Sequence, residues 1–372
     1  MENYLAIYEM PMDADSSEFM DDQDEISSEV LKLLKKSERL VKGILESNIT
    51  EYSMRIVQSR YELKCTLLGK RILEVLRDHC ERLEHEFPKH FLNPLLTLLI
   101  AHVKRNNIPL LIENYGVGRF YCDQELTRWI KVLNDLIQGM RDEAKTKEFR
   151  KATRNYFLRG KNNYKSLSNL IRNLFKKYSR LMVLRIDLKY RDHLKDGDLI
   201  KRAAMTFEAA RTHRERFFTN MRSNAMFDHI VGWAWKLEYG LRSGFHYHVI
   251  LFFHGKHVRQ DVTSAKRICA YWDNFITRGK GKAHSCNAKK EKYDECGIGM
   301  INHDESAKLI GLDKAVMYLT KSDFYFQLMT GGRNRGFGRK EIKRPERIET
   351  RGRPRNTSLV AESVINCSSS LT

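Results

Sequence analysis

No hydrophobic run in this 372-residue chain is long enough to span a bilayer; the most apolar stretch, HFLNPLLTLLIAHV (90–103), is short and interrupted. The opening MENYLAIYEM soon turns acidic, which excludes the basic start of a secretory signal. The seven cysteines are odd in number and irregularly spaced, which argues against a disulfide framework and for reduced thiols in a cytoplasm. No Gly-x-x-x-x-Gly-Lys-Ser/Thr sequence occurs, so the chain carries no P-loop motor. Residues 1–30 contain ten acidic residues and no Lys or Arg.

That last absence concentrates positive charge elsewhere. The whole chain has net charge +19, and residues 31–372 hold all 66 basic residues against 37 acidic ones, a net of +29. A surplus of this size points to a polyanionic partner, most often nucleic acid. The hydrophobic fraction of 42% and charged fraction of 30% are those of a globular protein.

Four regions follow from the pattern. Residues 1–29 lack periodicity and read as an acidic disordered tail. From Val30 the spacing of Leu33, Leu34, Val41, Ile44 and Leu45 is helical, and helical patterns with few strand signals continue to about Ser179. Residues 30–160 are therefore expected to form an all-helical or mostly helical region. Residues 161–330 read as the catalytic domain, in which the rhythm changes at Arg180. There LMVLRIDLKY predicts a strand. A helix capped near Asp198 follows, with Ala203, Phe207, Ala210, Phe217 and Met221 on one stripe. Two strands come next in GWAWKLEYGLRSGFHYHVILFFHG, then a helix from Asp261 presenting Ala265, Ile268, Trp272 and Phe275. A Lys-rich loop, the strand GIGMI and the helix-like SAKLIGLDKAVMYLTKSDFYF complete it. The β-α-β-β-α-β order, closed by a helix, is the split-βαβ arrangement of ferredoxin-like α+β folds with an antiparallel sheet. Residues 331–372 read as a basic irregular tail.

In FHYHVILFF, His246 and His248 share a strand face about 7 Å apart. They fit either satisfied core imidazoles or two ligands for one ion. If GLRSG is the hairpin loop, Tyr239 pairs with Phe245, Glu238 with His246 and Lys236 with His248. One face then collects Trp235, Leu237, Tyr239, Phe245, Tyr247 and Val249, and the other collects Glu238, His246 and His248. Slipping by one residue would bury the carboxylate among aromatics. Two imidazoles and a carboxylate form a mixed N/O site suited to Mg²⁺ or Mn²⁺. Downstream, Tyr318 and Lys321 are three apart on a predicted helix and share a face. A tyrosine hydroxyl is a weak nucleophile that a nearby ammonium can activate.

A His-x-His strand followed by a Tyr-x-x-Lys helix resembles the HUH endonuclease superfamily of rolling-circle initiators, relaxases and transposases. The run through LMVLRIDLKY, RFFTNMRS, WAWKLEYGLRSGFHYHVILFF, GIGMI, YLTKSD and RGFGR (roughly 160–345) is similar to the YagK/YfjJ C-terminal domain family, prophage proteins related to inovirus replication initiators. The resemblance implies a ferredoxin-like or RRM-like HUH fold, with His246 and His248 as ligands to Mg²⁺ or Mn²⁺. Glu238 is a third ligand on the hairpin register. Tyr318 would be the nucleophile and Lys321 its electrostatic partner. It implies a phage nickase acting on single-stranded origin DNA in a bacterial cytoplasm, through a 5′-phosphotyrosine intermediate. Host helicase and polymerase would be partners, and a membrane would not. A DNA-binding protein or repressor that does not cut, and a relaxase or transposase, are the alternatives.

Two further features bear on DNA. The segment RNRGFGRKEIKRPERIETRGRPR has ten basic residues against three acidic, with Arg335, Arg339, Arg351, Arg353 and Arg355 as candidate DNA contacts. Its Arg351-Gly352-Arg353-Pro354 core matches the minor-groove AT-hook, and non-specific phosphate binding is the other reading. Tyr325, seven residues after Tyr318, lacks an accompanying Lys and is expected in the core or at DNA. His284, Cys286, Cys296 and His303 fit no familiar zinc spacing and read as loop.

Overall fold

The computed structural model describes residues 28–58, 60–78, 90–108, 123–191, 206–240, 244–328 and 335–341. The chain divides into two compact units, the body of one ending at Arg159 and that of the other beginning at Gly160. Among the described residues no helix is long and apolar enough to cross a membrane.

The first unit contains α1 (Ser28–Glu46), β1 (Tyr52–Val57), β2 (Arg60–Cys65), α2 (Leu67–Asp78), β3 (His90–Leu92), α3 (Pro94–Arg105) and α4 (Asp123–Lys145). The helical stripe read from Leu33 to Leu45 is buried. Val41, Ile44, Ile72, Leu99, Leu133 and Met140 meet in one apolar core. Asn93 caps α3 by accepting from the Leu96 N–H at 2.9 Å, and Pro94 follows at the first helical position. The helical expectation needs one correction here: β1 and β2 form an antiparallel hairpin from Tyr52↔Cys65 to Val57↔Arg60. Along β1 most residues after Tyr52 are exposed, so no apolar alternation announces a strand.

The second unit is an α+β domain. Its elements are the C-terminal half of α5 (Lys147–Lys177), β4 (Arg180–Tyr190), α6 (Phe207–Asn220), β5 (Ile230–Gly240), β6 (Gly244–His254), α7 (Asp261–Tyr271), β7 (Gly281–Ser285), β8 (Gly299–Asn302) and α8 (Ser306–Tyr325). In chain order the short β9 (Phe326–Leu328), of which Phe326 and Gln327 group with the first unit, and then β10 (Phe337–Arg339) follow. The sheet order is β10-β5-β6-β4-β7, with β8 also on β4. The outer edge of β4 is shared: Arg180–Val183 pair with β8 and Ile186–Tyr190 with β7. The four strands expected from sequence thus lie in the order β5-β6-β4-β8, all antiparallel, as the ferredoxin-like arrangement requires.

Strand alternation then sorts side chains. On one face Ile186, Leu188, Leu237, Tyr247 and Val249 join Phe217 of α6 and Ile268 of α7 in an apolar core. The opposite face is apolar at one end only. There Leu181, Val183, Ala234, Ile250 and Phe252 pack against Leu170 and Leu174 of α5 and Leu312, Val316 and Leu319 of α8. Further along the same strands Arg185, Asp187, Lys189, Lys236, His246 and His248 are buried and polar. A close backbone approach holds α8: a Cβ on Gly297 would lie 2.0 Å from the Leu312 nitrogen, so only glycine fits there.

Four local expectations are corrected. Thr206 caps α6, its hydroxyl accepting from the Ala209 N–H at 3.1 Å, while Asp198 and Ala203 lie outside the described residues. Phe275 is 51% exposed, because Trp272–Ile276 form a π-helical turn that displaces it from the α7 stripe. The Lys-rich loop contains β7 and a 3₁₀ segment, Cys286–Lys292. The basic tail is not irregular throughout: Phe337–Arg339 pair with Lys236–Ala234 of β5. Gly338 makes that strand possible, since a Cβ there would sit 2.6 Å from the Trp235 indole.

Candidate metal centre

The hairpin register places Glu238 opposite His246, Lys236 opposite His248 and Tyr239 opposite Phe245, as the segregation of polar and apolar residues requires. The strands pair one residue beyond that, at Gly240↔Gly244. Glu238, His246 and His248 each offer one ligand atom, and these atoms lie within 4.8 Å of one another. The two imidazoles meet edge to face, at 5.0 Å between centroids and 88° between planes.

Each imidazole is oriented by its other nitrogen. The Nδ1 of His246 lies 3.1 Å from the Gly244 carbonyl, which accepts its proton. The Nδ1 of His248 donates to Asp187 Oδ1 at 2.6 Å. These partners leave both Nε2 atoms facing Glu238 Oε2, at 3.9 Å from His246 and 3.3 Å from His248. The His248 Nε2 is buried and completes no hydrogen bond within the protein, as a nitrogen that serves as a ligand would. A carboxylate or carbonyl behind each ligating histidine is the arrangement that fixes the metal-binding tautomer. The donor set therefore fits a divalent ion, and this Glu/His/His group could hold one.

Charge around the site is mixed and fixed. Burial works against a charged His248, but Asp187 and Glu238 outweigh it and push the imidazole up to about 10. Burial and then the neighbouring His248 push His246 down to about 4. Burial would raise the carboxyls of Glu238 and Asp187, yet His248 holds both well below the usual carboxylate range. Lys236 and Lys189 add positive field, on Glu238 and on His246 respectively.

The geometry also places Tyr318. It lies on α8, its ring 6.1 Å from that of His248. The Arg185 guanidinium sits 4.7 Å from the Tyr318 ring centroid. Burial opposes the charge on Arg185, but the Asp187 carboxylate beside it holds it as a cation. Asn287 fixes that stretch of β4 by accepting from the Arg185 backbone N–H at 2.9 Å and donating to the Val183 carbonyl at 3.0 Å. Lys321 is on the same helix, and its side chain, like that of Tyr325, lies outside the described residues. Arg335 is exposed and Arg339 half-buried, its Nε donating to Ser166 Oγ at 2.5 Å. The structure thus gives Arg339 a partner within the domain. Arg351, Arg353 and Arg355 lie outside the described residues.

Sequence reasoning missed Asp187 and Arg185. The signal was present: in LMVLRIDLKY the polar residues Arg185, Asp187 and Lys189 alternate with Ile186 and Leu188. His284, read as loop, lies on β7 directly opposite Asp187, and Cys286 Sγ is 3.6 Å from Asp187 Oδ2. Burial raises the Cys286 thiol well above its ordinary range, so it serves as a neutral neighbour.

Neither a curated protein nor a solved structure matches the chain. A family does, over residues 141–340, which begins earlier than the 160–345 resemblance and ends before it. That span holds the whole sheet, the Glu238, His246 and His248 group and Tyr318, and on this match the chain belongs to the YagK/YfjJ C-terminal domain family.

Proposed function

We propose that the protein is an HUH-type endonuclease that nicks single-stranded DNA, as a rolling-circle replication initiator of a phage or prophage does. The observation that carries this reading is the convergence of Glu238, His246 and His248 ligand atoms within 4.8 Å, with the Tyr318 ring beside His248. Family membership is compatible with it.

In this reading the Nε2 atoms of His246 and His248 and a Glu238 oxygen hold Mg²⁺ or Mn²⁺. Bound there, the ion supplies Lewis-acid polarisation of the scissile phosphate. Asp187 keeps His248 in its ligating tautomer. Tyr318 Oη attacks phosphorus and loses its proton to solvent. A tyrosyl O–P bond forms and the P–O3′ bond breaks, leaving a 5′-phosphotyrosine and a 3′-hydroxyl that takes up a proton. Arg185 places a buried cation beside the ring where negative charge develops, a role assigned to Lys321 from the sequence. The 3′-hydroxyl would prime a host polymerase, with unwinding left to a host helicase.

The test incubates the protein with labelled single-stranded DNA from its own element and Mn²⁺ or Mg²⁺. A covalent adduct that disappears in Tyr318→Phe and on chelation supports the nickase. The same DNA bound tightly without any adduct would favour a binding protein that does not cut.

A further inference from the structure

On the opposite side of the sheet from the metal centre, α7 ends in the π-helical turn Trp272–Ile276. A π turn inserts one residue, about 100° of helical rotation, into the apolar stripe. Ile276 therefore takes the buried place that Phe275 would hold in a regular helix, and Phe275 faces solvent. The turn is locked: Thr277 Oγ donates to the Trp272 and Asp273 carbonyls at 3.0 and 2.9 Å. Arg216 of α6 donates to the Ile276 carbonyl at 3.3 Å.

The displaced ring is organised. Phe275 stacks on Tyr271 with centroids 5.2 Å apart and planes 14° from parallel. Asn220 Nδ2 donates to the Tyr271 hydroxyl at 3.0 Å and fixes that ring. The Arg216 guanidinium lies 4.9 Å from the Phe275 centroid. Half of Phe275 stays open although both neighbours lie against it. The chain that follows is basic: Arg278 and Lys280 are exposed, as is Arg191, whose backbone N–H donates to the Lys280 carbonyl at 2.9 Å and whose side-chain Nε donates to the Gly281 carbonyl at 3.0 Å. The nearby Asp273 carboxylate is taken by the Ala283 N–H at 2.8 Å.

We propose that Phe275, Tyr271 and Arg216 form a seat for an unpaired nucleobase of single-stranded DNA, with the adjoining phosphates held by Arg191, Arg278 and Lys280. Aromatic rings stack any base face, and a cationic rim tracks the backbone. The inference rests on the DNA reading above and concerns a separate surface.

The test uses the full-length protein in EDTA, with labelled oligothymidylate and an abasic oligonucleotide of equal length as probes. Phe275→Ala weakens oligothymidylate binding about tenfold and leaves the abasic affinity unchanged. Phe275→Trp keeps the affinity, and its fluorescence is quenched by oligothymidylate beyond that of the parent protein. Unchanged oligothymidylate binding in Phe275→Ala, or equal weakening of both probes, overturns the proposal. So does a parent protein that binds both probes equally, which would leave the platform to a protein partner. Nicking is assayed with a divalent ion and this binding without one, so failure of the nickase reading and failure of this one are read in separate assays.

Discussion

The sheet of the second unit carries histidines at both ends, and the two groups are built differently. At one end His246 and His248 are buried, edge to face, each with a fixed acceptor behind it and one carboxylate in front. At the other end His254 of β6 lies with His229 and His257, both exposed. His229 and His257 are stacked at 4.2 Å and 15°, and His254 meets His257 at 4.9 Å and Tyr178 at 4.8 Å. Stacked rings keep their nitrogens in parallel planes. Among the described residues only the first group brings three ligand atoms within 4.8 Å. Proximity of imidazoles is therefore not what makes a site; an acceptor that fixes each tautomer and a carboxylate that closes the set are.

Substitutions should separate the two ends. The largest effect is expected of His248→Ala and His246→Ala, each abolishing Mn²⁺ binding by calorimetry and metal-dependent nicking while the circular dichroism spectrum stays folded. Asp187→Asn keeps both ligands but removes the charge that orients His248, and should weaken Mn²⁺ affinity by about 10- to 100-fold.

The pH dependence sharpens the contrast. With His248 pushed up to about 10, it is protonated at neutral pH without a metal, and binding must displace that proton. With His246 pushed down to about 4, it is already neutral. Apparent Mn²⁺ affinity should thus rise about tenfold per pH unit between pH 6 and 8, with one proton released by calorimetry in two buffers. Two ordinary imidazoles would give a curve that flattens above about 6.5. The smallest effect is expected of His257→Ala, which should leave Mn²⁺ affinity and nicking unchanged.

Much of this site was legible because polar and apolar residues segregate. Glu238 and the two histidines could share a face only in one hairpin register, and that register is present. The polar alternation that holds Asp187 was visible, but its partner was not, since pairing between β4 and β6 joins residues 61 apart with no turn to set the register. Phe275 misled because a π turn leaves no mark in the apolar spacing. Strand β10 was hidden because a three-residue edge strand in a Gly/Arg-rich segment has no hydrophobic period, and Gly338 serves the Trp235 indole rather than flexibility. The helical half was legible as helix from its buried stripe, and its hairpin was not, because most of β1 faces solvent.

In the proposed reaction Tyr318 attacks DNA at a metal held by Glu238, His246 and His248. This is tested most directly by mass spectrometry of the tryptic peptides Ala315–Lys321, which holds Tyr318, and Ser322–Arg333, which holds Tyr325, after reaction with single-stranded origin DNA and Mn²⁺. A 5′-phosphonucleotide on Tyr318, absent from His248→Ala, is expected. An adduct on Tyr325 instead, or one that forms equally without metal, would contradict it.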